Sequence, residues 1–169
     1  YGGVPIVTEP MELPASGDIT ELHQPRAKES DTWKFIKDEM DAAIALMKNT
    51  GGNEFRINKW SALALQSRAM LYAASVARYS EVQLDGILGL PSSEAEGYFE
   101  AARDAAKEVI DDGPYELYNL NPDKALNYRQ MTFDESASNK ERIFVTAYYW
   151  PLKTSPVDRN TAPYAHRSA

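Results

Sequence analysis

Cysteine is absent from the 169 residues, which excludes disulfide staples and thiolate metal sites and leaves the redox compartment open. Histidine is nearly absent. His23 and His166 are the only two, each in a stretch that reads as loop and with no His or Cys at ligand spacing, so neither a metal centre nor a catalytic triad is expected of them. No apolar run approaches the roughly 18 residues that suggest a membrane span, and no charged-then-apolar leader opens the chain. Positive charge is also short: the net charge is −7, and no basic cluster offsets it. That argues against nucleic acid as a partner, because such binding draws most of its affinity from Lys and Arg neutralising phosphates. A glycine-rich phosphate loop after a strand is missing as well, and no cofactor is expected.

What is present is one long helical stretch, from Arg56 to Ser80. Asn58 is placed to cap it, the following residues are rich in Ala, Leu, Met and Arg, and neither Gly nor Pro interrupts it. On a helical wheel Ser61, Arg68 and Ser75 form a narrow polar stripe and most of the remainder is apolar, so the helix is expected to be central, with neighbours on at least two sides. Its alanines let partner helices approach closely. Gln66 stands alone among apolar residues, and a hydrogen bond to a neighbouring element is its simplest use.

In chain order, residues 1–29 show no helical or strand period and are punctuated by glycine and proline, yet Val4, Ile6, Val7, Met11 and Leu13 are too apolar for a free tail. This segment is expected to lie extended across a surface. Ser30 or Asp31 then caps a helix to about Lys48, with Trp33, Ile36, Met40, Ala43, Ile44 and Met47 on one face and Phe35, Ala42 and Leu46 on a second. A short connection through Gly51 and Gly52 favours an antiparallel pairing with the central helix. A third helix spans about Ser93 to Asp112, with Tyr98, Phe99, Ala102, Ala106, Val109 and Ile110 on its apolar face, and Gly113-Pro114 stops it. A short fourth helix from Pro122 to Met131 follows. Arg142 to Trp150, β-branched and aromatic, is the best strand candidate. The fold expected is mostly α, with long irregular loops and one or two short strands: extended over 1–29, helical over 30–131, strand and irregular over 132–169.

Several segments then resemble the SusD/RagB family in register. Arg56-Ile57-Asn58-Lys59 with Ala62-Leu63-Ala64-Leu65-Gln66-Ser67-Arg68 and Leu71-Tyr72-Ala73-Ala74 is similar to its signature helix. Tyr1-Gly2-Gly3-Val4-Pro5-Ile6-Val7, Arg26, Ala101 to Tyr115 with Leu117, and Glu141-Arg142-Ile143-Phe144 resemble its flanking motifs. Asn58 stands where Thr is usual, Trp60 where Gly is common, and Gln66 and Ser67 replace Lys and Ala. The resemblance implies a tetratricopeptide-like helical repeat scaffold in a lipid-anchored glycan-binding protein on the extracellular face of the outer membrane. It implies an oligosaccharide or polysaccharide ligand, and a SusC-like TonB-dependent transporter as partner. Membrane contact would come only through a lipid anchor outside this chain. It also implies longer full-length proteins, of which this chain would be an internal fragment.

Carboxylates cluster at Asp38, Glu39 and Asp41, at Glu94 and Glu96, and at Asp111 and Asp112. Glycoside hydrolysis needs such pairs to converge, but these fall on polar helix faces and read as solvated surface, so no catalysis is expected. Sugar rings offer apolar C–H faces that stack on aromatic platforms, with polar side chains meeting the hydroxyls. On that chemistry the candidate ligand residues are Tyr148, Tyr149, Trp150, Arg159, Asn160 and Tyr164, where loop and aromatic residues coincide. Trp33 and Trp60 are expected in the core. The alternative function is a helical-repeat protein-interaction module without a sugar site; exposure or burial of the aromatics after Phe144 separates the two.

Overall fold

A computed structural model describes residues 2–48, 55–148 and 152–153. Four helices dominate: α1 Glu29–Leu46, α2 Lys59–Tyr79, α3 Ala95–Asp112 and α4 Lys124–Phe133, with short 3-10 turns at Thr20–Leu22 and Ser92–Glu94. The protein is mostly helical. No strand occurs among the described residues apart from an isolated bridge at Lys153, so the expected strand is not found over 142–148. A β-rich composition makes a strand only where a partner supplies the ladder.

The helix ends show the local chemistry. Asn58 Oδ1 accepts from the Ser61 N–H while Ser61 Oγ accepts from the Asn58 N–H, both at 2.9 Å, a reciprocal capping box that fixes where α2 begins. Asp123 Oδ1 accepts from the N–H groups of Ala125 and Leu126 and starts α4 later than Pro122 suggested. Helix α1 begins at Glu29 without a side-chain cap, ahead of the expected Ser30 or Asp31.

Helices α1 and α2 run antiparallel, as do α2 and α3. Trp33 meets Tyr72 and Gln66 Nε2 donates to Asp41 Oδ1 at 2.5 Å; Lys59 pairs with Glu108 at 2.5 Å, while Met70, Ala73, Ala74 and Ala77 pack on Ala95, Tyr98 and Ala102. The lone amide thus bonds a neighbouring helix, as its isolation implied. A second cluster sets Trp60 and Leu63 against Ala105 and Val109, with Ile44, Tyr115 and Ile143 around it. The closest packing is between α2 and α3, whose facing alanines permit it. Trp60 is buried and Trp33 half-buried, its indole N–H donating to Glu29.

Two expectations fail on coverage. Leu46 is 87% exposed and Ala42 is exposed, so the second apolar stripe of α1 is covered only at Phe35, which is half-buried. Ile110 is 76% exposed, because the buried arc of α3 is centred on Tyr98, Ala102, Ala105 and Val109 rather than on the wider face.

Only the two ends of the N-terminal segment lie against the rest of the protein; Val7, Met11 and Leu13, expected to be covered, are 49%, 48% and 69% exposed. The Gly3 N–H donates to the Ile87 carbonyl at 2.7 Å, the Ala27 N–H to the Val4 carbonyl at 3.2 Å, and Arg26 Nε to the Gly3 carbonyl at 2.7 Å. Gly2 adopts a φ of +68°, and a Cβ on Gly3 would overlap the Ala27 carbonyl oxygen, so both glycines of this motif are required by backbone sterics. Beneath them Glu29 ties α1 to the loop before α3: Oε2 accepts from the Gly89 N–H at 2.6 Å and Oε1 from the Trp33 indole at 3.2 Å.

Tyr98, at the α1-facing end of α3, is pushed up to about 12 by burial and by its bond to the Glu94 carboxylate. An ordinary tyrosine ionises near 10.0, so the unfolded chain loses this proton first and stability declines as pH rises from about 10 to 12. Tyr98→Phe is expected to flatten that decline, read by urea unfolding at several alkaline pH values; an unchanged slope would exclude Tyr98 as its source.

Candidate functional site

Of the candidate ligand residues, Tyr148 is described; Tyr149, Trp150, Arg159, Asn160 and Tyr164 lie outside the described residues. The Tyr148 side chain is 47% exposed, and the Lys153 ammonium sits 5.6 Å from its ring centre. Phe144, nearer the helices, is 55% exposed. The backbone from 141 to 148 thus leaves the helical core after Ile143 and presents its aromatics outward.

Upstream of Tyr148 the same segment forms one wall of an apolar groove of about 590 Å3. Val109, Tyr115, Leu117, Met131 and Ile143 supply its apolar lining, and Glu116, Glu141 and Arg142 its polar rim. The groove exists because the chain doubles back: the Glu116 N–H donates to the Lys140 carbonyl at 3.4 Å and Lys140 Nζ pairs with Glu116 at 2.9 Å. The Arg142 guanidinium donates to the carbonyls of Asp134, Glu135 and Ser136, in the turn that follows α4. Asn127 and Asn139 hold the remaining turns, Nδ2 of Asn127 donating to the Tyr118 carbonyl and Nδ2 of Asn139 to those of Met131 and Asp134. Tyr115, Leu117 and Tyr118 follow the Gly113-Pro114 stop as apolar residues, and nothing in the sequence around them signals the groove. Their alternation marked half-burial, but the facing wall lies more than twenty residues away.

Glu94 bonds the buried Tyr98, and three acids of the other carboxylate clusters pair along their own helices. Asp38 pairs with Lys34 and Asp111 with Lys107, each one turn apart on one helix, and Asp41 pairs with Lys37 at 2.6 Å. Partial burial raises the Asp41 carboxyl, and the bonds from Lys37 and Gln66 outweigh that and leave it lowered. Among the described residues no group of three or more His, Asp or Glu is placed to hold a metal ion, and no helix is long and apolar enough to cross a membrane.

Comparison with protein-family profiles, curated proteins and solved structures gives no match.

Proposed function

We propose that the chain is the tetratricopeptide-like part of a SusD-like glycan-binding protein, lipid-anchored on the extracellular face of an outer membrane. On this reading the two antiparallel helix pairings form the scaffold and the chain captures without catalysing. Aromatic rings stack on an oligosaccharide, polar groups hold its hydroxyls, and the protein delivers the sugar to a SusC-like TonB-dependent transporter. The observation that carries the reading is Tyr148, which leads the aromatic segment and is 47% exposed. A tyrosine with about half of its surface in solvent suits a platform for a sugar face.

The test is electrophoresis of the chain through native gels cast with plant, host and microbial polysaccharides. Retardation by one polymer is expected, weakened in Tyr148→Ala and Trp150→Ala while the far-ultraviolet circular dichroism stays unchanged. Retardation that persists in either variant would remove that residue from the site, and none in the parent chain would remove the sugar reading. A protein-interaction module is the second reading, favoured by apolar side chains of α2 that the described residues leave uncovered: Leu65, Tyr72 and Tyr79 are each more than half exposed.

A further inference from the structure

Two further clefts adjoin the groove beside Tyr115. One, of about 500 Å3, shares Glu116 and Leu117 with that groove and adds Asn119, Ser138 and Lys140. The other, of about 410 Å3, shares Tyr118 with it and adds Arg129, Gln130, Phe133 and Asp134 from α4 and its end. The three therefore succeed one another along residues 115–120. Their lining changes on the way, from mostly apolar at the groove to aromatic rings set among amides at α4. Tyr118 lines both outer clefts, and its hydroxyl donates to the Asp134 carboxylate, which also accepts from the Ser136 N–H at 2.8 Å. Asn121 Nδ2 donates to Gln130 Oε1 at 3.1 Å. These bonds hold the Tyr118 ring and the Gln130 amide before any ligand arrives. Charge is balanced along the lining, where Glu116, Asp134 and Glu141 stand against Arg129, Lys140 and Arg142.

We infer that the three clefts form one trough that takes a neutral oligosaccharide lengthwise, from the groove beside Ile143 to an end platform made by Tyr118 and Phe133. A succession of open recesses suits a chain of repeating units better than one compact molecule. Sugar units offer C–H faces to rings and hydroxyls to amides and paired charges, and the lining supplies both kinds of group. An anionic polymer would gain no net attraction from a balanced lining in a chain of net charge −7. An apolar ligand or peptide stripe would desolvate Asn119, Arg129 and Gln130 without replacing their water. The proposal rests on the sugar reading, but it places the binding surface on residues which that reading did not use and does not depend on Tyr148.

The test runs the full chain through native gels cast with amylopectin, xylan or glucomannan, and with polygalacturonate as a charged counterpart, taking an affinity from mobility against polymer concentration. One neutral polymer is expected to retard the chain, and polygalacturonate is not. Phe133→Ala and Gln130→Ala are each expected to weaken the affinity roughly 3- to 10-fold. Phe133 is 77% exposed and Gln130 is exposed, so neither change should unfold the protein, which circular dichroism checks. Tyr128→Ala is the control: Tyr128 lies on the same helix, is 69% exposed and lines none of the three clefts, so the affinity should match that of the parent. Parental affinity in either cleft variant, or an equal loss in Tyr128→Ala, would overturn the trough and leave the sugar reading standing. Retardation by polygalacturonate as strong as by the neutral polymer would overturn the neutral class. No retardation by any neutral polymer would remove the sugar reading and the trough together.

Discussion

Met70→Ala is expected to lower the unfolding free energy by about 2–5 kcal/mol, toward the upper end, read from urea denaturation with an unchanged slope. Met70 is fully buried where α2 meets α3, among Ala73, Ala74, Ala95 and Ala102. Alanines cannot swing into a vacated volume, and Leu90 and Tyr98, the larger neighbours, are themselves buried and held by their own backbones. The space left by the thioether therefore stays largely empty. Leu65→Ala on the open face of the same helix should change stability by no more than about 0.5 kcal/mol, because Leu65 is 60% exposed. A Met70→Ala loss as small as that of Leu65→Ala would mean the α2–α3 seam is not the centre of the core.

Glu29→Ala is expected to cost about 1–3 kcal/mol and to act at a distance. Its carboxylate accepts the Gly89 N–H and the Trp33 indole, and its own N–H donates to the Gly86 carbonyl. Truncation strands two donors in a region where Glu29 itself is 8% exposed, and it also removes an acid from the first turn of α1. Amide exchange at Gly89 should quicken well before global unfolding. Glu29→Gln, which keeps one acceptor oxygen, should fall between the variant and the parent. If Gly89 exchange is the same in all three proteins, Glu29 does not hold that loop.

Features readable from the sequence were those whose cause is local. Asn58 followed by an unbroken Ala- and Leu-rich run gave α2 to within a residue of its observed start, and Gly113 gave the end of α3. Gln66 was legible for the same reason, as an amide among apolar neighbours that must find a partner. The failures have distant causes. Nothing within four positions of Glu29 announces that it will bond Gly89, so Ser30 and Asp31 looked the better caps. Arg142 to Tyr148 has strand composition, but its ladder would need a partner that the described residues do not provide, and Arg142 is instead committed to the turn after α4. The groove beside Tyr115 is made by two segments far apart in the chain. Tyr148 was chosen by residue chemistry alone, and its exposure accords with that choice without identifying a ligand.

The bond from Glu29 to Gly89 spans 60 positions, and those of Gly3 to Ile87 span still more. Closing so long a loop is entropically unfavourable until something already holds its ends near each other, whereas α1, α2 and α3 follow one another in the chain and each antiparallel pairing closes a much shorter loop. The order of assembly follows from that difference. The three consecutive helices pair first, and residues 2–4 settle last against a loop that the earlier steps have positioned. Opening should run in reverse, so the N-terminal segment is the part that can detach and return within a folded molecule.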